Sequence, residues 1–174
     1  ALKIWSVSEA LEKKNYSAHH SNFITMLDCN TERKLIASGA FQDVVKIVDL
    51  NTGTVAKSFN DHNGTDTCLA FSPNGKLLAI GGKDKTVNVY DTFTWKKLAT
   101  KTFSNIVTDV SFVAGGKYLL IAQGCDWTPC SDGGHNVAVV DIDKYSEGRP
   151  IGAHTDSIVA IDADRNGKYV ASGS

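Results

Sequence analysis

Residues 69–91 read LAFSPNGKLLAIGGKDKTVNVYD. An apolar run leads into Asn74-Gly75-Lys76, a second run ends in glycine, and a third ends at Asp91. Asn-Gly between two apolar runs is a strong hairpin signal. The same ladder recurs along the chain. Residues 110–124 (VSFVAGGKYLLIAQG) continue into NVAVVD at 136–141. Residues 26–49 read MLDCNTERKLIASGAFQDVVKIVD, and residues 160–174 read AIDADRNGKYVASGS. The turn lysines Lys34, Lys76, Lys117 and Lys168 stand 42, 41 and 51 residues apart.

A period of about 40–45 residues with four short strands per unit is the mark of a propeller. The strands TVNVYD, NVAVVD and KLLAI are apolar on both faces. Strands packed between two sheets lose the polar alternation of a half-exposed sheet, and each blade of a propeller is covered by its neighbours. The expected fold is all-β, a β-propeller of four-stranded antiparallel blades, with third strands at 44–49, 86–91 and 137–141.

Further residues recur in register. His20, His62 and His154 each stand nine residues before the end of a unit's first strand, at Cys29, Phe71 and Ala163; Phe103 takes that place before Phe112. Asp43 and Asp84 occupy the turn between second and third strands. Val48-Asp49, Tyr90-Asp91 and Val140-Asp141 close the third strand, and Ile4-Trp5 stands at the same point near the start. On these residues the chain resembles the WD-repeat β-propeller family over nearly its whole length. In that family Gly-His precedes strand a, Asp stands in the b–c turn, and Trp-Asp closes strand c. The resemblance implies structural roles for His20, His62, His154, Asp43, Asp84 and Trp5. The family's His–Ser/Thr–Asp–Trp bonding set is incomplete in every unit here. Val48 replaces the tryptophan beside His20, Ser38 and Asp43. Beside His62 and Asp84, Ile80 replaces the hydroxyl and Tyr90 the indole. Packing is therefore expected to carry most of the blade stability.

The length of 174 residues suits one domain with a real core. The register divides it into a split unit at 1–17, units at 24–60, 67–102 and 107–152, and a second split unit at 158–174. Two halves and three whole units could close a four-blade ring. Rings of this family usually have seven or eight blades, so the expectation is an arc of a larger ring whose remainder lies outside this chain. Alone, such an arc is expected to be unstable or to self-associate.

Eighteen basic residues face 19 acidic ones, interspersed, for a net charge of −1. No field follows that would steer the molecule to nucleic acid. No stretch approaches the roughly 18–20 apolar residues of a membrane helix, and the opening Ala-Leu-Lys-Ile-Trp is not a signal peptide. Cys29 and Cys68 fall in first strands, where a small apolar residue packs well. Such usage suits an intracellular, reducing compartment, cytoplasmic or nuclear.

The 51-residue spacing comes from an insertion, GCDWTPCSDGGHN at 124–136. By register it lengthens a b–c loop, on the face where d–a and b–c loops emerge. Long loops on rigid scaffolds often carry binding function. Asp126, Trp127, Pro129, Asp132 and His135, with Asn105, form the expected partner-binding set. Trp127 is the natural anchor, because an exposed loop tryptophan buries large area when docked; the alternative is that it packs on its own loop. Cys125, Cys130 and His135 invite a zinc reading, but C-x₄-C with one histidine is an incomplete set. A Cys125–Cys130 disulfide is the other alternative, and free thiols are the expectation. Trp95, near the c–d turn with Phe93, reads as inter-blade packing, and His19 as an exposed residue.

No G-x-S-x-G, H-E-x-x-H or phosphate-loop motif occurs, and the register of His20, His62 and His154 argues for structure over catalysis. No cofactor is expected. The function expected is a non-catalytic protein-interaction scaffold in a multiprotein assembly, with protein partners and no membrane. Two alternatives stand: a nucleic-acid-facing module of a ribonucleoprotein, and a propeller-based hydrolase or metal-dependent enzyme.

Overall fold

The computed structural model describes residues 1–16, 19–63, 65–125, 135–147, 150–164 and 166–174. The apolar runs flanking Asn74-Gly75 form antiparallel strands β7 (Asp66–Phe71) and β8 (Leu77–Gly82), followed by β9 (Thr86–Asp91) and β10 (Lys97–Thr102) in one up-and-down sheet. The run before it folds alike into β3 (Ile24–Asn30), β4 (Leu35–Ala40), β5 (Val45–Asp49) and β6 (Val55–Phe59). The run after it gives β11 (Ile106–Val113), β12 (Tyr118–Gly124), β13 (His135–Asp141) and β14 (Ser146–Glu147), with β15 (Ile151–His154) also paired to β13. Two-stranded sheets stand at either end: β1 (Leu2–Ser6) with β2 (Leu11–Tyr16), and β16 (Ala160–Ala163) with β17 (Val170–Gly173). Among the described residues the only helical turn is 3-10, Ala114–Gly116, and no helix is long and apolar enough to cross a membrane. The third strands expected from the repeated V-x-[IV]-[VY]-D ending are β5, β9 and β13.

Period-two alternation sends each strand's side chains to two different neighbours. In β8, Leu78 and Ile80 join a core with Met26, Val45, Ile47 and Phe59 of the preceding sheet. Ala79, one residue along, faces Val110, Phe112, Leu119 and Ile121 of the following sheet. Leu120, Ala122 and Val137 pack in turn on Ile158 and Ile161, and Leu2 packs on Ile36 and Val48. Consecutive sheets thus stack face to face, and both faces of the middle sheet are dry. Blade-like stacking of four-stranded antiparallel sheets is the architecture expected.

First strands lie against first strands, β3 on β7, β7 on β11 and β11 on β16. Polar side chains stitch this inner edge. Asp28 accepts from Phe71 N at 2.6 Å, and Asp109 accepts from Ile161 N at 2.8 Å. The Thr67 hydroxyl donates to Val107 O, and Thr108 donates to Ile158 O at 2.5 Å. Outer strands β6 and β10 are mostly exposed.

At the opposite loop edge, Asn30 donates to Gly75 O at 2.7 Å. Gly75 sits at φ +68°, and a Cβ there would lie 2.6 Å from Asn30 Oδ1, so both conformation and space require glycine. Arg33 bonds Thr92 O and lies 4.3 Å over the Phe93 ring. Trp95 meets Phe59 edge-on at 5.9 Å and packs on the core between the first two full sheets, the inter-blade place expected for it.

Two expectations need correction. Cys29 is exposed, whereas Cys68 is buried. Leu27, on the same face of β3 as Cys29, is 55 % exposed, because this face of β3 is not covered by the β1–β2 sheet. His19 is buried, at 7 % exposure, rather than exposed.

Candidate functional site

The loops before the first strands and between second and third strands meet at one edge of the sheets. His20 there donates from Nδ1 to Asp43 Oδ2 at 3.1 Å, and its Nε2 accepts from the Ser38 hydroxyl at 3.0 Å. With that proton spent, His19 Nε2 donates to Ser38 Oγ at 2.7 Å. Burial, aided by His20 and Lys46, lowers His19 to a pKa of about 4, so it stays neutral. Burial opposes ionisation of Asp43, but bonds from Val44 N, His20 and Ser21 outweigh it and hold this carboxyl well below the usual range. Adjacent histidines thus share one buried serine.

The next sheet repeats the device with different residues. His62 Nδ1 donates to Asp84 Oδ1 at 3.0 Å, and its Nε2 accepts from Asn88 Nδ2 at 3.1 Å. The Thr86 hydroxyl donates to the same Asp84 oxygen at 2.8 Å, and Thr100 donates to Asn88 Oδ1 at 2.6 Å. The hydroxyl missing at Ile80 is therefore supplied from β9, and packing is not the sole support of this blade. Tyr90, at the tryptophan position, is buried and donates to Asp61 at 3.2 Å. His154 bonds Ser172 Oγ at 2.7 Å and Ser174 Oγ at 2.9 Å. Trp5 is 57 % exposed, with the Lys3 ammonium 5.6 Å over its ring.

The residues singled out for binding are distributed unevenly. Asp126, Trp127, Pro129 and Asp132 lie outside the described residues, as does Cys130. His135 opens β13 and pairs across the ladder with His154. Asn105 lies half-buried in the bend between β10 and β11. Cys125 is disulfide-bonded, which corrects the expectation of a free thiol. Among the described residues no group of three His, Cys, Asp or Glu side chains is placed to hold a metal.

What this edge offers instead is an apolar and acidic surface. Phe23 and Phe41, 61 % and 40 % exposed, stack at 5.2 Å with their planes 10° apart. Gln42, Asp43, Asn60, His62 and Asp66 line a cleft of about 420 Å³ between the β3–β6 and β7–β10 sheets. Composition alone did not mark either feature. The available signal was an aspartate opening an otherwise apolar first strand, DTCLAF.

Residues 53–91 match the family described as "WD domain, G-beta repeat". Curated proteins are similar over longer stretches. A p21-activated protein kinase-interacting protein 1-like from Danio rerio is 29 % identical over 111 residues, 63 % of this chain and 30 % of the relative. The UBP9-binding protein bun62 of Schizosaccharomyces pombe is 32 % identical over 102 residues, 58 % of this chain and 16 % of the relative. An uncharacterised WD repeat-containing protein of the same yeast is 42 % identical over 45 residues, 26 % of this chain and 5 % of the relative. The chain thus spans less than a third of the length of each of these relatives. With one repeat matched outright and its strand ladder repeated in the sheets on either side, the chain carries a WD repeat within a series of four-stranded β-propeller-type blades.

Proposed function

We propose that this protein is a non-catalytic interaction scaffold that binds partner proteins, within a larger assembly, through the edge where the d–a and b–c loops emerge. The observation that carries the reading is how the reactive side chains at that edge are used. His20 and His62 are engaged within their own sheets and His154 by Ser172 of the next sheet, whereas large apolar groups such as Phe23 and Phe41 are left exposed. Such an edge is a docking device rather than a reaction centre. The names of two relatives, one kinase-interacting and one UBP9-binding, agree with it.

In this reading residues 124–136 are a partner contact and Trp127 is its anchor. A rigid aromatic buries large area at low entropic cost. Affinity capture with the intact protein and with a form lacking residues 125–135 tests the loop. Trp127→Ala is expected to weaken binding by about 2 kcal/mol or more, the size of a hot spot, with an unchanged melting temperature. Unchanged affinity, or melting that falls in step with binding, overturns the assignment. We also place the protein inside the cell. The Cys125 disulfide speaks for an oxidising compartment instead, and titration of free thiols in freshly isolated native protein decides between them.

A further inference from the structure

Asp66 opens β7 and lines the cleft between the first two full sheets. Its side chain is only 9 % exposed, and Oδ1 is buried with no hydrogen-bond partner among the described residues. An unpaired buried carboxylate oxygen costs free energy on the scale of a lost charge-assisted bond. Native structures leave few such atoms, and each calls for a cause.

The neighbours do not supply a partner. His62 Nε2 stands 4.0 Å away. That nitrogen already accepts from Asn88, because the ring's other nitrogen donates to Asp84. With both ring nitrogens so engaged, His62 offers no donor to Asp66. Asp61 and Asp84 add negative charge nearby, and Asp43 lines the same cleft. Lys97 pairs with Asp61 at 3.1 Å. Burial, reinforced by Asp84 and Asp61, pushes the Asp66 carboxyl up to about 6. The cleft is therefore negative at neutral pH, and among the described residues no lysine or arginine lines it.

Its size and surroundings narrow the occupant. A volume of about 420 Å³ far exceeds one water and falls within the range of ligand pockets. No three ligating side chains converge on a metal position among the described residues. Gln42 and Asp43 of the lining continue directly from Phe41, which is stacked on Phe23. A planar, weakly hydrated guanidinium suits a buried carboxylate better than a strongly hydrated ammonium does, and it stacks on aromatic faces.

We propose that this cleft receives an arginine side chain of a partner protein, its guanidinium on the Asp66 carboxylate and the Phe23–Phe41 pair against the adjoining partner chain. The proposal deepens the protein-binding reading above and rests on it for the source of the arginine.

Capped Ala-Arg-Ala, Ala-Lys-Ala and Ala-citrulline-Ala tripeptides test it without any native partner, with the backbone amides of Thr65, Asp66 and Thr67 followed by NMR. The arginine peptide is expected to shift these amides, more tightly than the lysine peptide, and the neutral citrulline isostere is expected to leave them in place. Asp66→Asn is expected to weaken the arginine peptide about tenfold or more, the loss of one charged hydrogen bond. In unaltered protein, acidification below pH 5 is expected to weaken it as well, so the result does not depend on the variant folding. Equal binding by citrulline, tighter binding by lysine, full affinity in Asp66→Asn, or unmoved amides would each overturn the proposal. Failure here leaves capture through residues 125–135 untouched, and loss of that capture with intact arginine shifts removes the loop contact alone.

Discussion

His19 and Asp66 are both displaced by burial, in opposite directions along the pH scale. His19 falls from 6.5 to about 4, so its neutral form is favoured in the folded chain. The unfolded chain binds the extra proton between those values, and the stability tied to His19, present above pH 6.5, is lost as pH falls toward 4. His19→Gln is expected to cost about 1 kcal/mol at pH 7 through the Ser38 bond, and the gap to wild type should narrow toward pH 4. Asp66 rises from 3.8 to about 6, so here the folded chain holds the extra proton and stability falls as pH rises through that window. Asp66→Asn is expected to gain stability relative to wild type from pH 4 to pH 7, on the order of 1 kcal/mol. The two slopes oppose each other in the unaltered protein, so urea melts of each variant against wild type at several pH values are the measurement. A variant-to-wild-type gap that does not change with pH would refute either assignment.

Within a blade, the middle sheet shows how one substitution is offset by others. Position 80 offers isoleucine where the family pattern has a hydroxyl, yet Thr86 and Asn88 of β9 complete the bonds of His62 and Asp84. Asn88 is a polar residue between Val87 and Val89 and is only 2 % exposed. A buried amide must be paired, and this was the legible hint in TVNVYD. Asn88→Ala leaves His62 Nε2 and the Thr100 hydroxyl without their partner, and should cost about 1–3 kcal/mol in chemical denaturation. Between blades the tolerance is steric. A Cβ on Gly81 would lie 2.6 Å from Cys68 Sγ and 2.6 Å from Val107 Cγ1, the latter on the next sheet. Gly81→Ala should destabilise by about 1–3 kcal/mol, the scale of overpacking a close-packed core. A thermal melt unchanged by this substitution would show that the β7–β10 and β11–β15 sheets can separate at little cost.

For the whole molecule, the four interfaces between consecutive sheets cover the interior faces but leave large apolar side chains outside. Leu27, Val159 and Tyr169 are 55 %, 66 % and 67 % exposed. The β1–β2 and β16–β17 sheets have two strands each, and uncovered strand edges and apolar patches promote association. The 174-residue chain in isolation is therefore expected to self-associate, with sedimentation velocity as the check. A monodisperse monomer that melts cooperatively would contradict the expectation.

The repeat in the sequence was enough to determine the first three strands of each full sheet and their order, but not the pairing of β15 with β13. Apolar runs, turn glycines and the closing aspartates are local and recur in register, so the hairpins of β7–β9 could be read directly from LAFSPNGKLLAIGGKDKTVNVYD. The His20–Asp43 and His62–Asp84 pairs were legible only through the resemblance to the family's bonding set. Burial was decided elsewhere. Cys29 and Cys68 both stand in first strands, but one is exposed and the other buried, because Cys68 has a packed sheet opposite it. His19 is buried against Ser38 and His20, and Asp66 is left unpaired because His62 donates to Asp84 and accepts from Asn88. Strand pairing is set by neighbours along the chain, whereas the environment of a side chain is set by residues tens of positions away that only the packing of sheet on sheet brings together.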